Sequence, residues 1–127
     1  MGRSSKTKGR AGELELAEKL NGMGYDTVKA GACSSYGQEP DISGLRGVHI
    51  ECKRVEKLNI SKAMQQSIDD AAKFRDGRPA VFHRRNREPW LVTMRLEDWA
   101  RMYGKAIGQP PKSPATGAQA ATGAAER

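Results

Sequence analysis

The chain has 127 residues, 37% of them apolar, and a formal net charge of +7 at neutral pH. That length suits one compact domain around one hydrophobic core. No apolar run approaches the roughly 18 residues of a membrane span, and none follows the basic N-terminus as a secretory signal would require, so a membrane partner is not expected and a cytoplasmic protein is. A basic excess of this size attracts polyphosphate whatever the fold, and nucleic acid is the expected partner. The two cysteines, Cys33 and Cys52, have no second Cys or His at zinc-site spacing and suit a reduced compartment.

In chain order, residues 1–8 carry Arg3, Lys6 and Lys8 among Gly and Ser and read as a flexible basic arm. Over residues 9–22, Leu14, Ala17 and Leu20 recur at three-residue steps, with Leu16 and Met23 extending the stripe. This spacing predicts an amphipathic helix that Gly22 and Gly24 end. Residues 25–30 read as a short strand and GACSSYGQEP as a Gly/Ser-rich loop. Asp41-Ile42-Ser43 begins a second strand, Gly44 to Gly47 is turn-like, and residues 48–54 alternate β-branched and polar residues as a third strand, so a β-hairpin is expected here.

Ser61 is the expected N-cap of a helix over residues 62–74 that ends at Asp76-Gly77. Residues 79–83 and 89–94 read as two more strands joined by the basic turn Arg84-Arg85-Asn86-Arg87, and a last helix covers residues 96–103. Phe74, Phe82, Trp90 and Trp99 are expected in the core. From residue 108 onward Pro, Ala, Gly and Thr recur without an apolar face and predict a disordered tail. The order of elements implies an α/β fold, a small mixed sheet flanked by helices, over residues 9–107.

The chemistry concentrates in Pro40-Asp41, nine residues, then Glu51-Cys52-Lys53. Residues 51 and 53 share one face of a strand because strand side chains alternate, and Asp41 can reach that face across the expected hairpin. Asp41 and Glu51, with the Cys52 backbone carbonyl, make a hard oxygen site suited to Mg²⁺, with Mn²⁺ as a substitute. Such an ion offsets charge developing on a phosphodiester and lowers the pKa of a bound water. Lys53 can orient that water or face the scissile phosphate. A surface strand carrying one ion pair is the plain alternative.

Further residues carry two readings each. Glu13 is an acid in a first helical turn, favoured by the dipole, or a further ligand. Glu15 reads as a solvated helix residue near the site. His49, two residues before Glu51, offers a third polar group beside a metal or, the favoured reading, is a partly buried and structurally satisfied histidine. Lys6, Lys8 and Arg10 are solvating charges or phosphate contacts, the second reading being favoured. Arg84, Arg85 and Arg87, with Arg54 at the end of the third strand, are further candidate DNA contacts. Gln65 and Gln66 lie on the helix after the motif strand, where wider PD-(D/E)-x-K enzymes can place a glutamine that positions DNA.

Lys8-Gly9-Arg10-Ala11-Gly12-Glu13-Leu14-Glu15-Leu16, Gly24-Tyr25, Ala30-Gly31, Pro40-Asp41-Ile42 and Ile50-Glu51-Cys52-Lys53 together resemble the archaeal-type Holliday junction resolvases of the PD-(D/E)-x-K nuclease superfamily. The resemblance covers about residues 8–103. It implies a restriction-endonuclease-like core and an active site of Glu13, Asp41, Glu51 and Lys53. It also implies Mg²⁺ dependence, a homodimer with two active sites on a branched DNA, and a catalytic serine, for which Ser34 and Ser35 are the candidates. The resulting expectation is a structure-selective endodeoxyribonuclease acting on four-way junctions in recombination and repair. A bacterial or phage-infected cell is the expected setting. The alternatives are a restriction, nicking or repair nuclease of the same chemistry, and a non-catalytic basic DNA-binding module.

Overall fold

The computed structural model describes residues 5–30 and 40–109, with side chains from residue 9 onward. Arg3, Cys33, Ser34, Ser35, the side chains of Lys6 and Lys8, and the tail from residue 110 lie outside the described residues.

Helix α1 (Ser5–Gly22) begins four residues before the predicted start. Once a helix exists, adding a residue such as Lys costs little, so the basic segment can extend it. The inward stripe is Gly12, Leu16 and Leu20 at four-residue steps, with Ala17 beside it; Leu14 lies off this stripe and is 50% exposed, against the expectation. Strand β1 (Lys29–Ala30) pairs antiparallel with β2 (Ile42–Ser43), Lys29 opposite Ser43 and Ala30 opposite Ile42.

Strand β3 (Val48–Arg54) leads through helix α2 (Ile60–Phe74) to β4 (Arg78–Arg84), and β5 (Leu91–Met94) completes a three-stranded sheet ordered β3-β4-β5. β3 and β4 run parallel, Ile50 opposite Ala80 and Glu51 opposite Val81, while β5 is antiparallel to β4. The expected hairpin between residues 41–43 and 48–54 therefore does not form as a ladder. β2 pairs back to β1, because the chain turns at Gly44 against Thr27, whose Oγ1 donates to the Gly44 carbonyl at 2.9 Å. Gly44 has φ of 115°, and a Cβ there would stand 2.2 Å from the Thr27 oxygen, so only glycine fits the turn. β3 is left to pair with β4, and a parallel pair needs a crossover, which α2 supplies.

The N-cap of α2 is Asn59, not Ser61: its side chain accepts from the Lys62 amide at 3.0 Å. Arg75, in the left-handed region at φ 52°, ends the helix. Ala63, Ser67 and Ala71 form the buried stripe of α2, and the Ser67 hydroxyl donates to the Ala80 carbonyl at 2.9 Å.

The main core joins Leu16, Ala17, Val28, Ile42, Ile50, Ala80 and Phe82, with Trp90 partly buried against it. Each large side chain here contributes about 1.5–3 kcal/mol by leaving water. The chain divides into two compact units, the second beginning at Leu96. Within that second unit, helix α3 (Leu96–Ala106) stacks Trp99 on Tyr103 at 5.0 Å. Trp99 is 49% exposed, so it is not the core residue expected from the sequence; one helical turn brings it against Tyr103 instead. No helix among the described residues is long and apolar enough to cross a membrane. The first unit is a small mixed sheet with α1 and α2 on opposite faces, the α/β architecture that the order of elements predicts.

Candidate active site

Strand alternation sorts β3 into two sets. Ile50, Cys52 and Arg54 face α1; His49, Glu51 and Lys53 face α2. Glu51 is buried, its Oε2 is 3.7 Å from the Lys53 ammonium, and its Oε1 is 3.7 Å from His49 Nε2. Lys53 Nζ donates to Gln66 Oε1 of α2 at 2.9 Å, which fixes the lysine beside Glu51. The His49 ring lies stacked on Phe74, and its Nδ1 is 2.9 Å from both carboxylate oxygens of Asp76. Burial alone would lower the His49 pKa, but the Glu51 and Asp76 carboxylates outweigh it and hold it above the usual range.

From the other side, α1 delivers Glu13. A Cβ on Gly12 would stand 2.6 Å from the Arg54 Cβ, so this glycine lets α1 lie close on β3. Glu13 is pushed up to about 7, first by burial, then by the charge of Asp41 and the hydrogen bond that protonated Glu13 makes to it; the Glu51 charge adds to the effect and Arg10 opposes it. Asp41, at the start of β2, is exposed. Burial, followed by the Glu13 and Glu51 charges, pushes the Cys52 thiol up to about 12, so it stays neutral and its sulfur is a poor ligand.

The sequence-derived residues thus meet around Glu51. Glu13 with Asp41 stands on one side of it, and His49 on the other. The ligating atoms of His49, Glu51 and Asp70 lie within 4.8 Å of one another. Among the described residues, Glu13, Asp41 and Glu51 do not close to that span, and Lys53 and His49 stand beside Glu51 on its α2 side. Asp70 and Asp76 were not picked out from the sequence. A signal for Asp70 exists, because it falls three residues after Ser67 and four before Phe74, on the inward stripe of α2 where a charge is out of place.

The basic residues divide as well. Glu15, expected in solvent, accepts from Arg54 Nε at 3.1 Å and from Arg84 Nη1, the two arginines being partners in the β3–β4 register. Burial would raise the Glu15 pKa, but the Arg84 and Arg54 hydrogen bonds outweigh it and lower it. Arg84 Nε also donates to the Glu88 carbonyl at 2.6 Å. Arg54 and Arg84 therefore tie α1 to the strand ends and are less available to DNA than the sequence suggests. Arg85 and Arg87 are exposed in the turn before β5, and Arg85 borders an open groove of about 470 Å³ that Lys57 and His83 also line.

No curated protein and no solved structure matches the chain. A family model does: the archaeal Holliday junction resolvase (Hjc) matches residues 4–104, most of the chain and all five strands among the described residues. With an α/β core of the restriction-endonuclease-like kind, the chain belongs to the archaeal Holliday junction resolvase family, a family of nucleases.

Proposed function

We propose that this chain is a structure-selective endodeoxyribonuclease that resolves four-way DNA junctions in recombination and repair, as a homodimer, with Glu13, Asp41, Glu51 and Lys53 as its active site. The observation that supports the reading is the convergence on buried Glu51 of a lysine held at 3.7 Å on one oxygen and of a second acidic group, Glu13, beside Asp41. The carboxylates of Glu13, Asp41 and Glu51 are oxygen donors, which fit a hard divalent cation such as Mg²⁺, or Mn²⁺ in its place.

Asp41, Glu51 and the Cys52 carbonyl would hold the cation, with Glu13 as a further ligand. When bound, it supplies charge neutralisation at the phosphodiester and a more acidic water. The protein's own part is placement. Lys53, steadied by Gln66, can donate to a phosphate oxygen or to the attacking water. Water adds to phosphorus and the bond to the leaving DNA oxygen breaks, so the negative charge that builds on phosphate meets a fixed ammonium. Arg10, Arg85 and Arg87 supply phosphate contacts, joined in this proposal by Lys6, Lys8 and a serine at 34 or 35.

The test incubates full-length protein with labelled four-way junction, linear duplex, flap and single strand, with and without Mg²⁺. Paired symmetric cuts confined to the junction are expected. Equal cutting of linear duplex would make it a general nuclease, and tight binding without cutting in Mg²⁺ or Mn²⁺ would leave a DNA-binding module.

A further inference from the structure

Outside the acidic pair lies a second set of donors whose geometry calls for a cation. His49 is 2% exposed, and its Nε2 is buried without a hydrogen-bond partner. Buried polar atoms are nearly always paired, so an orphan needs a physical account. Nδ1 faces both oxygens of Asp76 at 2.9 Å, and a carboxylate only accepts, so Nδ1 carries the proton. In the neutral ring Nε2 is then a lone pair. It points at Glu51 Oε1, another acceptor, across 3.7 Å, which is too long for a hydrogen bond. A metal-free ring settles this by keeping a proton on Nε2, in line with its raised pKa, and a cation in place of that proton would bridge the ring nitrogen and the carboxylate.

Asp70 brings a third donor, and all three ligating atoms lie within 4.8 Å of one another. Ligand atoms around a tetrahedral zinc stand roughly 3.3 Å apart, given metal–ligand lengths near 2 Å. Small side-chain movements close the difference. The ring is already oriented, by Asp76 at Nδ1 and by stacking on Phe74. A carboxylate behind a histidine is the usual support of a metal-bound imidazole, fixing its tautomer and raising its basicity. One nitrogen with two carboxylates favours a borderline transition ion over Mg²⁺, which prefers oxygen and keeps its waters.

We propose that His49 Nε2, Glu51 and Asp70 form a binding site for a divalent first-row transition ion, with Zn²⁺ as its representative and Asp76 as the positioning residue. The site shares Glu51 with the oxygen-donor set of Asp41 but lies on its α2 side. It stands on geometry alone and does not need the junction-cleaving reading to hold.

The experiment titrates full-length protein with Co²⁺ alone, followed by visible absorption and calorimetry. One ion per chain is expected, giving an imidazole-ligated spectrum, displaced by equimolar Zn²⁺ but not by the same concentration of Mg²⁺. Asp70→Asn should weaken Co²⁺ binding at least tenfold, and His49→Gln should remove the spectrum. Asp76→Asn should weaken it roughly 10–100-fold and change the ¹⁵N tautomer pattern of His49, with Asp76→Glu restoring part of both. Should His49→Gln fail to fold by circular dichroism, the Nε2 resonance of the unsubstituted protein decides: Zn²⁺ must shift it. An unmoved Nε2, no binding, or binding indifferent to Asp70→Asn and equally displaced by Mg²⁺ each overturns the proposal, leaving a water or an imidazolium–Glu51 ion pair at Nε2. Junction cleavage in Mg²⁺ alone is read separately, so failure of either reading leaves the other standing.

Discussion

The two faces of β3 have opposite tasks although they are built from alternate residues of one strand. Ile50 and Cys52 pack against α1 in the main core, where Leu16 and Phe82 join them. His49, Glu51 and Lys53 face α2, whose small buried residues Ala63, Ser67 and Ala71 leave space that the polar groups occupy. The apolar face holds the strand in place. The polar face, with His49 and Glu51 buried and His49 Nε2 without a hydrogen-bond partner, holds its groups where electrostatic interactions act strongly. A rigid strand with one face devoted to packing can present costly groups on the other.

This contrast can be broken or sharpened one residue at a time. On the packing face, Ile50→Ala should cost about 2–5 kcal/mol in denaturant unfolding, through lost burial and a cavity; a loss under about 1 kcal/mol would mean that this face is not the main support. Its neighbour should behave in the opposite way. Glu51→Gln should lower junction cleavage by roughly 10²–10³-fold or more while junction binding and the unfolding midpoint hold. Equal loss of stability would make Glu51 structural.

Smaller effects test how the polar face is held. Removing the cap with Asn59→Ala should cost about 1 kcal/mol and, by loosening the start of α2, raise the mobility of Gln66 and Lys53 as seen by NMR relaxation. Glu15→Gln should lower stability by less than about 1 kcal/mol, because the ion pairs are part-exposed. Its sharper readout is salt-dependent DNA binding, which should strengthen as Arg54 and Arg84 are released; unchanged binding would show that these arginines do not reach phosphate.

The smallest effect concerns pH. The Glu13 pKa is raised from 4.5 to about 7, first by burial. Between these values the metal-free folded state holds a proton that the unfolded chain has released. The contribution is complete below about 4.5 and is lost as pH rises through about 7. Melting temperature should therefore fall over this window, and Glu13→Gln should flatten the fall. A steeper fall in the variant would mean that Glu13 is ionised in the fold.

Much of this was legible in the sequence. The alternation of His49, Ile50, Glu51, Cys52 and Lys53 by itself put Glu51 and Lys53 on one face, because strand geometry has a fixed period. Gly12-Glu13 and Pro40-Asp41 carried the family likeness, and binary patterning located both long helices within a few residues. Pairing partners were not legible: a turn-like stretch between two strand-like runs predicts a hairpin, and only the approach of Gly44 to Thr27 decided that β2 joins β1 and β3 joins β4. Nor could local pattern show that Arg54 and Arg84 share Glu15, since the three residues stand far apart in the chain and meet through parallel register.

His49 marks the boundary most clearly. The sequence determined its side of the strand and left two readings, a satisfied buried ring or a polar group beside a metal. Tertiary structure decided that one nitrogen is satisfied by Asp76 while the other faces Glu51 and Asp70 without a hydrogen-bond partner. Period fixes which way a side chain points, but what it meets depends on residues from other elements, and those are brought together only by folding.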